Sequence, residues 1–230
     1  MRLVLMIALV ANVLATNILL PLYVWPASGA WNNVYEAIEM NSQLTFQIII
    51  NPNSGPGVNG IFFDEIPNEE DQGDSESVTF LASLVKAARS TFGVHPFKSI
   101  FNPGTIPQHT ELYDLADYIV VFESEASSYK EAVLSSHIPS GKASKSSILV
   151  YNFEREGDKG QLETWLQGMI SIGVGSANIL NAGYDEATSD DDPAGISTVA
   201  SILSAGVRST ATPPNGTSCR CHSGGHPGGL

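Results

Sequence analysis

The feature that most constrains this chain is an alternation of short apolar runs with helical patterns through most of its 230 residues. Seven runs have the length and residue types of β-strands. They are ILLPLYVW (18–25), LTFQIII (44–50), GIFFDEI (60–66), KSIFNPG (98–104), YIVVFES (118–124), SSILVYNFE (146–154) and SANILNAGY (176–184). Helical spacing occurs at 31–40, 75–92, 111–116, 127–136, 160–171 and 194–205. The pattern predicts an α/β fold of βα units, either an open doubly wound sheet or a (β/α) barrel.

Composition narrows the function classes. Hydrophobic residues make up 43% of the chain and charged residues 15%, which is typical of a globular protein with one good-sized core. The formal net charge of −13 argues against nucleic acid and anionic membranes as partners and is compatible with a neutral or cationic substrate. Neither a GxGxxG motif after the first strand nor a GxxxxGK[ST] motif is present, so nucleotide binding is unsupported. We expect no cofactor.

The two ends of the chain differ from its middle. Residues 1–15 have the pattern of a secretory signal peptide, with Arg2 before an apolar run and small residues at the expected cleavage point. A membrane anchor is the alternative, because apolar residues continue through 18–25. We expect secretion to the extracellular space or cell surface, without an integral membrane segment. The predicted barrel domain is 16–206, and 207–230 is a Gly-, Pro- and Ser-rich tail that we expect to be disordered.

The tail contains the only two cysteines of the chain, so the fold is not a disulfide scaffold. Four residues of metal-binding type occur there, Cys219, Cys221, His222 and His226. We expect no metal site, because no secondary structure is predicted that would fix a tetrahedral geometry. Asn215 begins the one plausible N-glycosylation sequence.

Polar residues follow five of the predicted strands. The amides are Asn51, Asn102 and Asn152, and the acids are Asp64, Glu65 and Glu123. Barrel active sites are assembled at this carboxyl edge, although any single Asn there can equally well cap a loop. We predict the three asparagines as substrate contacts. Aromatic residues near strand ends, Tyr23, Trp25 and Tyr184, are predicted to stack on sugar faces, and each has a core position as its alternative.

The three acids are the candidate catalytic residues. An acid at the end of a buried strand has a raised pKa unless it is paired, and such a group transfers protons near neutral pH. Glycoside hydrolysis requires one protonated and one ionised carboxyl group. Because neighbouring strand residues face opposite sides, we expect only one of Asp64 and Glu65 to face the pocket while the other braces it. Binding of a loop amide or a structural cation is the alternative.

Five motifs in order, from ILLPLYVWP through IIINPNSGPG, GIFFDEIP and IFNPGT to YIVVFE, resemble the spherulation-specific family 4 proteins of fungi and slime moulds. That family is similar to glycoside hydrolase family 135. The resemblance implies a (β/α)8 TIM barrel, endo-cleavage of α-1,4-linked N-acetylgalactosamine in fungal galactosaminogalactan, and catalytic acids at Asp64, Glu65 and Glu123. Many members are described only as spore or cell-surface proteins.

One departure from the family lies near residues 53–59. Only PNSGPGVN separates the second strand from the third, and parallel neighbours need a crossover of about a dozen residues or more. In the family several dozen residues separate these motifs. We therefore predict a barrel of about seven strands that lacks one βα unit, through a true deletion, a splice form or a wrong exon boundary.

These observations lead to three hypotheses. The first is a secreted, monomeric glycoside hydrolase acting on a polysaccharide that contains N-acetylgalactosamine and is cationic where it is deacetylated. The second is a non-catalytic spore-wall or cell-surface protein that binds carbohydrate. The third is an inactive, unstable truncated member, because an unclosed barrel exposes two strand edges.

Overall fold

The computed structural model describes residues 16–21, 29, 31–49, 59–67, 74–95, 97–153, 159–181 and 195–210. The predicted signal peptide at 1–15 lies outside these residues. So do Asn215 and the cysteines and histidines of the tail.

Strands and helices alternate along the described chain as the sequence predicts. In order they are β1 (Asn17–Pro21), α1 (Asn32–Met40), β2 (Phe46–Ile49), β3 (Gly60–Phe63), α2 (Asp74–Phe92), β4 (Lys98–Phe101), α3 (Leu112–Leu115), β5 (Tyr118–Glu125), α4 (Glu131–His137), β6 (Ser146–Tyr151), α5 (Lys159–Ile172), β7 (Ser176–Ile179) and α6 (Ile196–Thr210). Short 3₁₀ turns at Ala126–Ser128 and Ala143–Lys145 precede α4 and β6. Helix α6 continues to Thr210, beyond residue 206, where the barrel domain was predicted to end.

The seven strands form one parallel sheet in the order β2-β1-β7-β6-β5-β4-β3. In a (β/α)8 barrel each strand pairs with the next along the chain, and the last strand pairs with the first. Here β7 pairs with β1, and every consecutive pair except β2–β3 is formed within the described residues. The structure therefore confirms a barrel that is nearly closed and one unit short, with its gap at the predicted junction.

Apolar residues are buried on both faces of the sheet. The barrel interior contains Leu19, Ile49, Ile100, Val120 and Leu149. Their neighbours along the strands, such as Ile18, Phe101 and Ile148, face outward and pack against the helices in the larger core cluster. This two-sided burial explains why the strands read as unbroken apolar runs.

The two sides of the barrel are packed differently. We call β2, β3, α1 and α2 the open side, and β4, β5, β6, β7 and β1 the closed side. The open side carries five of the seven large apolar side chains that are exposed in the described part of the chain. They are Tyr35, Met40, Ile48, Ile61 and Phe80. A strand and helix at the gap would lie beside the outward-facing residues Ile48 and Ile61.

Among the described residues, no helix has the length and hydropathy needed to cross a bilayer.

Candidate active site

The end of β3 directs Asp64 toward the barrel interior. Phe63 faces outward and packs edge-on against Phe101, with 5.3 Å between ring centroids. Phe62, the preceding residue, packs against the interior cluster. Because successive strand residues face opposite sides, Asp64 lies on the same face as Phe62. The strand ends there, and the Asp64 side chain is exposed at its carboxyl end.

A β-bulge in β5 turns Glu123 toward the same interior. The pairing of β5 with β6 shifts between Val120 and Phe122, so Val121 and Phe122 both pack against the outer core. Glu123 consequently stands opposite Leu149, which faces inward. Without the bulge, strict alternation would have placed this carboxylate on the helix-facing side.

Asn102 connects the two acids. It follows β4, the strand between β3 and β5, and its side-chain nitrogen Nδ2 donates to Asp64 Oδ1 at 2.8 Å and to Glu123 Oε2 at 2.5 Å. Its backbone N–H donates to the carbonyl of Phe63 at 2.8 Å, and its carbonyl accepts from the N–H of Ile66 at 3.2 Å. The carboxyl ends of three neighbouring strands are therefore joined by one residue.

The loop after β4 fixes both Asn102 and Glu123. The backbone N–H of Gly104 donates to Asn102 Oδ1 at 3.0 Å, which is the bond of an Asx turn. The backbone N–H of Glu123 donates to the Gly104 carbonyl at 3.0 Å. Gly104 has a φ of +69°, a conformation that glycine adopts without steric cost.

Burial raises the pKa of the Glu123 carboxyl group above its ordinary value of 4.5. The hydrogen bond from Asn102 opposes this shift, and the nearby charge of Asp64 adds to it. Burial thus favours the protonated form of Glu123, which is the form in which a general acid acts.

Glu65, the acid next to Asp64, contacts the site through its backbone. Its φ of +50° takes the chain out of the extended conformation, and its side chain is exposed. Its backbone N–H donates to Asp64 Oδ1 at 3.0 Å. Glu65 therefore contacts Asp64 through its backbone N–H, while the Asp64 side chain lies on the interior face of β3.

The other predicted site residues fall into two groups. Asn152, with a φ of +52°, donates from Nδ2 to Glu125 Oε1 at 3.4 Å. The remaining predicted contacts, Tyr23, Trp25, Asn51 and Tyr184, lie outside the described residues.

The sequence reasoning overlooked Glu125 and Gly104. Glu125 follows Glu123 by two positions in one strand and therefore faces the same side, which the period of a strand predicts. Gly104 was detectable as the end of an Asn-Pro-Gly turn. In the ranges that the structure describes, no three His, Cys, Asp or Glu side chains are grouped as a metal site requires.

The sequence profile of spherulation-specific family 4 matches residues 17–59 and 57–191. The protein belongs to this family. The two matched segments meet at the junction where the barrel lacks a pairing, so the sequence comparison and the sheet order locate the departure at the same place. The family match includes the ends of β3, β4 and β5, where Asp64, Asn102 and Glu123 lie.

A solved structure with the same fold is the crystal structure of Aspergillus clavatus Sph3 in complex with GalNAc. It is 21% identical to this chain and covers 83% of it, while the chain covers 98% of the Sph3 chain at a TM-score of 0.68. This likeness supports the TIM-barrel architecture of the family member described here. The search of curated proteins finds no match.

Proposed function

We propose that this protein is a secreted glycoside hydrolase that cleaves within chains of α-1,4-linked N-acetylgalactosamine. The observation that carries the proposal is the pair Asp64 and Glu123, joined by one amide at the carboxyl ends of β3 and β5. Family membership and the GalNAc bound to the Sph3 structure support carbohydrate as the substrate class. The N-terminal pattern at 1–15 supports secretion.

The proposed reaction uses the different environments of the two acids. Glu123, whose pKa is raised by burial, donates its proton to the glycosidic oxygen as the C–O bond breaks. Asp64, which is exposed, stabilises the positive charge that develops on the sugar or acts on the opposite side of the bond as nucleophile or base. A water molecule completes the hydrolysis and returns the proton to Glu123.

The spacing of the acids is compatible with this chemistry. Asp64 Oδ1 lies 2.8 Å and Glu123 Oε2 lies 2.5 Å from the same atom, Asn102 Nδ2. The distance between the two oxygens therefore cannot exceed the sum of these two distances. That limit is close to the about 5 Å between the carboxyl groups of retaining glycosidases and below the about 6.5 to 9.5 Å of inverting enzymes. The net charge of −13 also favours a polymer that is cationic where it is deacetylated.

A second candidate function is carbohydrate binding without cleavage. Asp64 follows β3, which is an edge strand of the described sheet because its pairing with β2 is missing. Catalytic geometry tolerates displacements of only about 0.5 Å, and an edge strand is held on one side only. A protein of this kind would retain the sugar-binding edge and turn over slowly or not at all.

The test is release of reducing ends from galactosaminogalactan by the secreted protein and by Glu123→Gln, with Glu163→Gln as the matched control. Glu163 lies exposed on α5, so its substitution removes the same charge away from the site. We expect the control to match the wild type and Glu123→Gln to lose at least about 100-fold in rate. Equal rates for both variants would remove Glu123 from the mechanism.

Co-sedimentation with the same polysaccharide separates the two candidates. Cleavage that depends on Glu123 supports the hydrolase. Binding by the wild type without any release of reducing ends supports the binding protein, and absence of both removes the carbohydrate proposal.

A further inference from the structure

We propose that Asn102 is a positioning residue that holds Asp64 and Glu123 together, in place of the substrate contact that the sequence predicts for it. The inference rests on the proposed function for the meaning of the acid pair. It adds a role for a residue that touches both acids and both strand ends.

The hydrogen-bonding groups of the Asn102 side chain are committed within the protein. A side-chain amide has two N–H donors, and here one donates to Asp64 and the other to Glu123. Its oxygen accepts from the N–H of Gly104, which fixes the orientation of the amide because a backbone N–H cannot bond to the NH₂ group. Asn102 is also only 6% exposed, so it presents almost no surface to a polysaccharide.

The bonds form a closed circuit around Glu123. The Gly104 carbonyl accepts from the backbone N–H of Glu123, and the Gly104 N–H donates to Asn102, whose NH₂ group donates to the Glu123 carboxylate. Both the main chain and the side chain of Glu123 are therefore attached to the loop 102–104. A small shift of that loop moves the carboxylate and its backbone together.

The amide also opposes the repulsion between the acids. When two carboxyl groups this close are both ionised they repel each other, and the side chains can lower this repulsion by moving apart. Asp64 is the more mobile partner in this respect, because it is exposed and follows an edge strand. The NH₂ group of Asn102, which donates to both carboxylates, holds the distance between them constant while each keeps its own degree of burial.

The experiment compares Asn102→Ala, Asn102→Ser and the control Asn59→Ala. Asn59 is exposed just before β3, at the opposite end of that strand from the acids. Serine retains an acceptor for Gly104 but has one hydrogen to donate, so it serves only one carboxylate. We expect kcat to fall about 100-fold in Asn102→Ala and by less in Asn102→Ser, with KM changed less than about twofold.

A second measurement does not depend on turnover. Titration followed by NMR should show both Asn102 side-chain amide protons of the wild type shifting as Glu123 ionises. In Asn102→Ala the pKa of Glu123 should rise further, because the hydrogen bond that lowers it is lost. The rise should remain even if Asp64 moves away, because the hydrogen bond affects the pKa more than the Asp64 charge does. The control should titrate as the wild type does, and circular dichroism should show each variant folded.

The outcomes separate the two proposals. If the wild type does not cleave the polysaccharide but the Asn102 amide proton signals shift as Glu123 ionises, the positioning role stands and the hydrolase function fails. A raised KM with unchanged kcat in Asn102→Ala would assign Asn102 to substrate binding and overturn the inference. An unchanged Glu123 titration in both Asn102 variants would overturn it as well, and if Asn102→Ala does not fold, Asn102→Ser and the wild-type amide signals decide.

Discussion

The closed and open sides of this barrel are both built from short apolar parallel strands, but the side chains of these strands are buried to different extents. On the closed side, β5 and β6 pair over six residue positions, and Ile148 and Leu149 of β6 have no exposed surface. On the open side, β2 and β3 are four residues long and each is paired on one edge only within the described sheet. Ile48 of β2 and Ile61 of β3 are 39% and 36% exposed.

The difference is the one expected when a βα unit is missing beside β2 and β3. A strand of a parallel sheet is covered by the helices before and after it, and loss of one unit uncovers the facing edges of two others. The candidate site spans the boundary between the two sides, with Asp64 after the edge strand β3 and Glu123 within β5. Asn102, directly after the strand β4 between them, therefore lies where the two sides are joined.

Hydrogen exchange should show the largest contrast between the two sides. We expect the amides of Ile148 to Val150 in β6 to exchange at least about a thousandfold more slowly than those of Ile61 to Phe63 in β3. An edge strand leaves every second amide without a neighbouring strand, whereas β6 is paired on both edges. Exchange would be followed residue by residue by NMR, and equal protection in β3 and β6 would mean that the open edge is covered in solution.

The same contrast can be measured with one residue type. Ile148→Ala removes a fully buried outward-facing side chain, and we expect it to lower the free energy of unfolding by about 3 to 4 kcal/mol. Ile48→Ala, at a partly exposed position on β2, should cost less than about 1 kcal/mol. Both values would come from urea denaturation. A similar cost at the two positions would contradict the description of β2 as uncovered.

The number of strands and the location of the gap could be predicted from the apolar runs and the length of each connection, whereas the barrel order of the strands was implied by the family resemblance. Strand ends were predicted less well. The run GIFFDEI was predicted as the third strand with Asp64 and Glu65 at its carboxyl end, and in the structure β3 ends at Phe63, before Glu65 adopts a positive φ. A composition of apolar and acidic residues does not reveal where the backbone leaves the extended region.

The meeting of Asp64 with Glu123 was predictable from their positions at neighbouring strand ends, since parallel strands present their carboxyl ends at one edge. The orientation of Glu123 was not predictable. The apolar run Ile119 to Phe122 reads the same with or without a bulge, and the bulge depends on which side chains the outer core accepts. The double hydrogen bond of Asn102 likewise depends on distances that a sequence does not contain.

Asp117 provides a prediction about the connection between the two sides. Its carboxylate accepts from Arg89 of α2 at 3.2 Å, from Lys98 Nζ at 3.1 Å, and from the Ser99 backbone N–H at 2.9 Å. We expect Asp117→Asn to lower the free energy of unfolding by about 1 to 2 kcal/mol, because hydrogen bonds to a half-buried charged group are lost and its two ion pairs with exposed partners add little. Asp114→Asn is the control, since that carboxylate is 74% exposed and pairs with Lys142 at the surface.

The same residue should respond to acid. Burial alone would raise the pKa of Asp117, but the bonds from Ser99 and Lys98 and the charges of Lys98 and Arg89 outweigh it and hold the pKa below its ordinary value of 3.8. A lowered pKa gives stability that is fully present above the unfolded value and is lost as the pH falls through the folded value. Urea melts below pH 4 should therefore bring the wild type toward Asp117→Asn, and a constant difference would contradict this.

The smallest expected effect concerns the pH dependence of the site at the boundary. Part of the raised pKa of Glu123 is due to the charge of Asp64, which belongs to the open side. Asp64→Asn removes that charge, so the pKa of Glu123 should fall and Glu123 should lose its proton at lower pH. For a general acid this moves the alkaline limb of kcat/KM to lower pH, in addition to any loss of rate. The residual activity of Asp64→Asn, measured against pH beside Glu163→Gln, gives the direction of the shift. A limb that stays in place would mean that the open side does not affect Glu123 electrostatically, and that the Asp64 carboxylate lies farther from it in solution than one shared amide allows.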